Sequence, residues 1–235
     1  FIQESLQLSP TQLGVMLSVP IFAGALMRFP LGVLAQYIGR KNATLVEMGG
    51  IALALMYGYF YVETFHHLIA MGVLLGIAGA SFGVALSLGS GSFPARYKGL
   101  AMGLVGAGNV GTSLSALLAP QLAQAYGWKA VYGMAAVGLL LPVLVMIFLA
   151  KEPDDVDKHS TFRDHIACLF EKDGWAFSII YAVTFGGFIG LTTFLPSYYH
   201  DQFGVSKVQA GQLTMLAAFM GAALRIFGGW ISDHW

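Results

Sequence analysis

The sequence predicts an all-α membrane protein made of two parallel repeats of a helix bundle, truncated at both ends. Three observations lead to this fold class. Of 235 residues, 57% are hydrophobic and only 10% are charged, whereas a soluble domain carries about 25% charged residues. Seven apolar stretches are long enough to cross a bilayer, which takes about 20 helical residues. A segment near the start also recurs 197 residues later.

The composition argues against several classes of function. The formal net charge is zero, so no nucleic-acid partner is expected. The single cysteine, Cys168, rules out a disulfide framework and a thiol metal site. No basic segment is followed by a cleavage site, so no signal peptide is predicted. The chain starts at Phe1 without a methionine and stops at Trp235 just after an apolar stretch. We therefore expect a piece of a longer protein, inactive by itself.

The seven apolar stretches are predicted to be helices, because lipid leaves the backbone groups of an open strand or loop unsatisfied. Ser9 followed by Pro10 is typical of a helix N-cap with proline in the first turn. Residues 1–6 are expected to end an earlier helix. The predicted spans lie near residues 11–36, 43–62, 67–93, 99–125, 129–150, 174–199 and 208–232.

The one long polar segment, residues 151–173, holds seven acidic and four basic residues and is predicted to be a linker. Residues 1–150 then form the first bundle, from the end of its first helix to its sixth. Residues 174–235 begin the second bundle with helices seven and eight. Lysine and arginine fall in alternate loops, eight against two, so the richer set and the linker are predicted to be cytoplasmic. That set is Arg40, Lys41, Arg96, Lys98, Lys151, Lys158, Arg163 and Lys172.

The repeat aligns residues 9–36 with a segment 197 positions further along the chain. Six helices separate equivalent positions, so equivalent helices point the same way and the repeats are parallel. Parallel six-helix halves are typical of two-bundle secondary transporters. The identical residues are Ser9, Gln12, Gly14, Phe22, Gly24, Ala25, Arg28 and Gly32, which match Ser206, Gln209, Gly211, Phe219, Gly221, Ala222, Arg225 and Gly229.

The repeat places one arginine, Arg28 or Arg225, inside an apolar span in each half. An arginine at mid-membrane costs about 2.5–3.5 kcal/mol on insertion scales. Among the acidic residues, Glu47 is predicted to lie too near the cytoplasmic side to pair with them, and Asp233 nearer still. The planar guanidinium can hold two oxygens of an oxyanion at once, which predicts an anionic substrate. The alternative is pairing with backbone carbonyls or with an acid on another helix.

Further candidates lie on the neighbouring spans. Asn109 interrupts a glycine-rich helix, and its amide is predicted to donate either to an oxyanion or to another helix. Tyr181 and Phe185 are four residues apart and share one helix face, and Phe82 comes from the fourth helix. The glycines of these helices favour close approach of backbones. Packing in the core or against lipid is the alternative for each of these residues.

Two motifs resemble a known family. The piece 32-GVLAQYIGRKN-42 resembles the loop between helices two and three of the major facilitator superfamily, with Gln36 where that motif has aspartate. Its repeat partner, 229-GWISDHW-235, keeps the aspartate at Asp233. The resemblance implies a gating role for the loop residues Gly32, Gln36, Gly39, Arg40 and Asp233.

The piece 103-GLVGAGNVGTSLSALLAP-120 resembles the nitrate motif of the nitrate/nitrite porter family within that superfamily. This resemblance implies that Arg28, Arg225 and Asn109 contact the substrate. It also implies that Tyr181, Phe185 and Phe82 sandwich the planar ion. The glycines of the motif are Gly103, Gly106, Gly108 and Gly111.

These observations predict a secondary transporter, not an enzyme, that exchanges nitrate and nitrite by alternating access. We expect a monomer in the cytoplasmic membrane, with lipid and a small inorganic anion as partners and no cofactor or metal. The alternatives are a porter for another small anion, such as a carboxylate or a cyanate-like ion, proton-coupled nitrate symport, and a membrane receptor built on the same scaffold. No nucleophile–base pair in the sequence indicates catalysis.

Overall fold

The computed structural model describes residues 1–152 and 170–234. Most of the predicted linker, residues 151–173, therefore lies outside the described residues. The described part of the chain is helical and contains no strand. Seven of its segments are long and apolar enough to cross a membrane, which confirms the seven predicted spans. The ends of the structural spans differ from the predicted ones by one to four residues, and the spans that start at Arg40, Phe65 and Trp128 end two residues earlier than predicted.

The helices are numbered here in chain order. They are α1 (Ile2–Ser5), α2 (Pro10–Ile38), α3 (Arg40–Phe60), α4 (Phe65–Gly91), α5 (Lys98–Gly106), α6 (Val110–Tyr126), α7 (Trp128–Phe148), α8 (Lys172–Tyr181), α9 (Gly187–Phe203) and α10 (Lys207–His234).

Two spans contain a change of helix type. A 3₁₀ turn at Ala107–Asn109 separates α5 from α6, and a π-helical segment at Ala182–Gly186 separates α8 from α9. π-helical turns inside longer helices are common at functional sites. Both irregular segments carry residues of the candidate site, Asn109 in one and Phe185 in the other.

The two repeats begin with the same capping structure. In α2, the Ser9 backbone N–H donates to Gln12 Oε1 at 2.9 Å, and the Gln12 backbone N–H donates back to Ser9 Oγ at 3.2 Å. In α10, the Ser206 and Gln209 pair makes the same two bonds at 3.0 and 3.2 Å. Such reciprocal bonds satisfy two amides that the helix itself leaves free. The sequence repeat is therefore also a structural one.

Single glycines join two pairs of helices. Gly39 alone connects α2 to α3, with φ 87° and ψ 153°, and Gly127 alone connects α6 to α7, with φ 84° and ψ 152°. This backbone conformation is open almost only to glycine. The two junctions therefore require glycine.

Small residues bring the helices together around the centre. Gly24 of α2 lies against Gly76 and Gly79 of α4, where an added Cβ would come within 2.9 Å of the Gly76 carbonyl oxygen. On the other side, α10 packs along α5 and α6. These two close contacts bring Arg28 on α2 and Arg225 on α10 towards the space between α4, α5 and the π-helical segment.

Candidate anion site

Arg28 and Arg225 converge on one aromatic ring. The Cζ atom of each arginine lies 5.1 Å from the centre of the Phe185 ring. The two guanidinium groups are therefore no farther apart than twice that distance. Each also lies over a second ring, Arg28 over Tyr181 at 5.7 Å and Arg225 over Phe82 at 5.8 Å. The arginines predicted from the repeat thus meet at one place.

Neither arginine has a carboxylate partner within residues 1–152 and 170–234. Arg28 donates from Nε and Nη2 to the Gly79 carbonyl oxygen, both at 3.4 Å. Arg225 donates from Nη1 to the Gly106 carbonyl oxygen, also at 3.4 Å. These bonds are long by the usual standard of about 2.9 Å. Backbone pairing, the predicted alternative, is therefore present in a weak form and leaves part of each guanidinium for another acceptor.

The three predicted aromatic residues form a single stack with Phe185 in the middle. The Phe185 ring centre lies 5.0 Å from that of Tyr181 and 5.2 Å from that of Phe82, with the planes within 16° of parallel. A planar ion between two rings needs about 7 Å, since each contact takes about 3.5 Å. The sandwich implied by the family resemblance is therefore closed in this structure. An ion reaches the faces only after the rings separate by about 2 Å.

Asn109 supplies a hydrogen-bond donor without an acceptor. Its Nδ2 atom is buried and has no partner in the described residues. One turn further on, the Ser113 hydroxyl is also buried and unpartnered. A buried polar group without a partner lowers stability by about 1–3 kcal/mol. Both positions therefore favour binding of a polar ligand. Ser113 was not predicted, although its spacing of four from Asn109 places it on the same face.

The glycines of the nitrate motif divide into two groups. A Cβ at Gly103 would lie 2.6 Å from the Arg225 carbonyl oxygen, and a Cβ at Gly106 would lie 3.2 Å from Arg225 Cδ. These two glycines therefore let α10 and its arginine approach α5. A Cβ at Gly108 or Gly111 would meet no atom within 4 Å. The second pair therefore makes no close helix contact within the described residues, and its part in the site stays a prediction.

A cavity of about 590 Å³ leads to Arg225. It starts at Phe82 and Phe185 and runs between α5 and α10 to Ser232, near the ends of the helices that carry the predicted cytoplasmic loops. Its lining includes Met102, Thr184 and Phe188, which were not predicted. Phe188 also lies under Arg225, at 5.6 Å. Its spacing of three from Phe185 was the available signal.

The gating-loop residues have different surroundings. Asp233 accepts hydrogen bonds from the backbone N–H groups of Gly99 and Leu100, both at 2.7 Å. It thereby caps the start of α5, where a negative charge is favoured. Its repeat partner Gln36 is half-buried and makes no comparable cap, and Gly32 has open space beside it, within the described part of the chain.

The start of α3 is also capped by a carboxylate. Glu152 accepts from the backbone N–H groups of Arg40 and Lys41 at 2.7 and 2.8 Å, and it lies against Gly39. The Arg40 side chain donates from Nη1 to the Ser87 carbonyl oxygen at 3.0 Å. These contacts fasten the α2–α3 turn to the end of α7 and to α4.

At the opposite end of the molecule, a charged pair links the first and last described helices. The Lys207 ammonium group at the start of α10 donates to the Glu4 carboxylate in α1. This contact holds the pKa of the exposed Glu4 carboxyl below its usual value. Lys207 and Lys129 are the two basic residues of the loops opposite the predicted cytoplasmic set, and no partner was predicted for Lys207.

The chain is similar to several curated proteins over almost its whole length. The chain is 29% identical to the nitrite extrusion protein of Bacillus subtilis, over 97% of the chain and 58% of that protein. It is 33% identical to the probable nitrate/nitrite antiporter NarK1 of Thermus thermophilus, over 99% of the chain and 55% of that protein. The probable nitrate transporter NarT of Staphylococcus epidermidis is 30% identical, over 99% of the chain and 60% of its own length.

The chain thus spans little more than half the length of these curated relatives. No solved structure matches it. The family model described as Major Facilitator Superfamily matches residues 1–235. Together with the seven spans and the repeated arginine helices, this match shows that the chain belongs to the Major Facilitator Superfamily.

Proposed function

We propose that the full-length protein transports nitrate and nitrite across the cytoplasmic membrane, with Arg28 and Arg225 as the anion ligands. The observation that carries the proposal is the meeting of these two cations at the Phe185 ring, with no carboxylate between them in the described residues. Two like charges in an apolar setting repel each other. A bound anion removes this repulsion.

The choice of nitrate and nitrite has two supports. Both ions are flat and carry oxygens that a guanidinium can bind in pairs, and the flat rings of Tyr181, Phe185 and Phe82 offer matching faces once the stack opens. The curated relatives also carry names that refer to nitrate or nitrite. The buried amide of Asn109 supplies a further donor, and the aromatic walls exclude water and so strengthen each polar contact.

We also propose that the transporter works mainly by exchange. With an anion bound, the net charge of the paired arginines falls, and the site can pass through the low-dielectric interior at less cost. Without an anion, both charges are bare, which opposes reorientation. One anion therefore moves inward as another moves outward.

Alternating access requires contacts that close each end in turn. We propose that Asp233 on the start of α5 is a closing contact at the cytoplasmic end. The Lys207–Glu4 pair is the corresponding contact at the outer end. In this scheme residues 1–150 belong to the first bundle, 174–235 to the second, and 151–173 to a cytoplasmic linker. The two contacts lie at opposite ends of α10, so movement of this helix affects both.

Exchange is tested with the full-length protein in liposomes. Labelled nitrate is added outside, and the vesicles contain either nitrite or an impermeant anion at equal ionic strength, with pH and membrane potential clamped. Rapid uptake should require internal nitrite or nitrate. Equal uptake into both kinds of vesicle, or uptake driven by a pH gradient without internal anion, would contradict exchange. Vesicles without protein provide the background rate.

Substrate choice is tested by competition. Unlabelled nitrite should compete with labelled nitrate, while formate and chloride should compete weakly. The carboxylate alternative predicts the opposite order for formate, because a carboxylate offers the same pair of oxygens to the arginines.

A further inference from the structure

A second ionisable group lies inside the first bundle. Glu47 of α3 has no solvent-exposed surface, and neither of its carboxyl oxygens has a hydrogen-bond partner in the described residues. It lies seven residues inside the start of α3, which corresponds to about 10 Å along the helix axis. From its position in the sequence, Glu47 was predicted to lie too near the cytoplasmic side to pair with the arginines, but the side chain is completely buried.

An ionised carboxylate in such a position is costly. A buried charge needs a partner or hydrogen bonds, and charged residues inside membrane spans are rare unless they serve a function. Glu47 has neither kind of partner among the residues described, so its burial opposes the ionised form. A side chain with no bonded partner also contributes little to holding α3 in place.

The contacts between α3 and α4 show which residues of α4 lie level with Glu47. Residues 43, 47 and 50 share one face of α3. On that face Ala43 belongs to one buried cluster with Ala35 and Val84, and Gly50 lies beside Ile77. Glu47 therefore faces the stretch of α4 between residues 77 and 84. Arg28 donates to the carbonyl of Gly79, which is in the same stretch. Glu47 and Arg28 thus flank the same two turns of α4.

Arg28 is the charged group at this depth on the helices packed against α3. Those helices are α2, α4 and α7. Their other ionisable residues lie near helix ends, at the outer end for α4 and α7 and at the cytoplasmic end for α2. At the start of α3 itself lie Arg40 and Lys41, with Glu152 bound to their backbone. The groups near helix ends are Tyr37, His66, His67, Lys129 and Tyr132.

We propose that Glu47 is a proton-binding site whose occupancy is linked to the anion at Arg28, an inference that rests on the proposed function. A bare Arg28 favours the ionised form of Glu47, because opposite charges attract through the low-dielectric interior. An anion on Arg28 cancels this attraction, so Glu47 takes up a proton from the solvent. By linkage, protonation of Glu47 then strengthens anion binding by the same factor.

The test measures protons and nitrate together. The full-length protein in detergent is placed in a weakly buffered solution with a pH indicator, and nitrate binding is measured by calorimetry. Nitrate binding should take up a fraction of a proton per site, and the nitrate Kd should weaken several-fold between about pH 5 and about pH 8. Glu47→Gln should bind nitrate without the proton uptake and with a flatter pH profile. Glu63→Gln, at an exposed glutamate in an outer loop, should behave like the parent.

Each outcome decides the proposal. If Glu47→Gln folds poorly, Glu47→Leu supplies a second neutral variant, whose apolar side chain suits the buried position. The pH dependence of the parent Kd needs no variant at all. Nitrate binding by the parent without proton uptake overturns the linkage but leaves the proposed transporter intact. Absence of nitrate binding overturns both. Unchanged proton uptake in Glu47→Gln assigns the proton to another group and also overturns the proposal.

Discussion

At the scale of single residues, the site depends on arginines whose hydrogen bonds are few and long. Arg28 and Arg225 each donate to one glycine carbonyl at 3.4 Å and otherwise face aromatic rings. Cation–π contacts contribute about 0.5–2 kcal/mol each, which stabilises the cations without occupying their donors. A guanidinium held in this way keeps N–H groups for an oxyanion.

Replacing Arg28 with lysine tests this use of the guanidinium. Arg28→Lys keeps the positive charge but loses the planar fork of donors. We expect nitrate affinity to fall by about tenfold or more, which corresponds to about 1.4 kcal/mol. The measurement is nitrate binding by calorimetry, and Arg96→Lys, at an exposed arginine in a 3₁₀ turn, should leave the affinity unchanged. Parent-like affinity in Arg28→Lys would contradict a paired-oxygen contact.

Some site residues could be predicted from the sequence because their residue type is unusual inside a membrane span, and others could not. The arginines stood out because a charge in an apolar span has few explanations, and the repeat supplied the second one. Ser113 and Phe188 carry no such signal, since serine and phenylalanine are ordinary in membrane helices. Closure of the aromatic stack was also unpredictable, because spacing along α8 and the π-helical segment gives a shared face but no distance to Phe82.

At the scale of elements, the contact between α5 and α10 depends on glycine. Gly99, Gly103 and Gly229 let the two backbones touch, and a Cβ at Gly103 would come within 2.6 Å of a carbonyl oxygen. The sequence predicted such contacts for every glycine of the motif. It could not separate Gly103, which lies against α10, from Gly111, which has open space beside it, because spacing along one helix does not show where a distant helix packs.

The two groups of glycines should respond differently to alanine. Gly103→Ala introduces a clash with α10, and overpacking of this kind costs about 1–3 kcal/mol. We expect a lower Tm and slower nitrate exchange. Gly111→Ala meets open space in α6 and should leave the Tm unchanged or raise it slightly, since alanine favours helix by about 1 kcal/mol over glycine. Equal Tm values for the two variants would show that α5 and α10 do not approach as described.

At the scale of the whole molecule, the repeat organises the fold. Matching capping boxes begin α2 and α10, and matching arginines donate to glycine carbonyls of neighbouring helices. The sequence predicted this arrangement because the residues of the two caps are identical. The contact between α1 and the start of α10 was less predictable. The Glu4–Lys207 pair joins residues about 200 positions apart, and no local pattern links them.

The Glu4–Lys207 contact should depend on pH. The ammonium group of Lys207 lowers the pKa of the Glu4 carboxyl in the folded protein. The contact between the two groups therefore stabilises the fold at pH values above the unfolded-state pKa of about 4.5. It is lost as the pH falls through the lower folded-state value. Below about pH 4.5 the parent should lose slightly more Tm than Glu4→Gln, on the order of 1 °C for an exposed pair. Glu63→Gln is the control and should follow the parent, whereas parallel curves for the parent and Glu4→Gln would argue against the contact.

The one-residue junction at Gly39 has a mechanical consequence. A connection of one residue keeps the facing ends of α2 and α3 together, and Glu152 binds the first two amides of α3. Arg28 lies on α2 and Glu47 lies on α3. Whichever way the bundle tilts, the two side chains travel together. An influence of one on the other would therefore act with similar strength whether the carrier faces inward or outward.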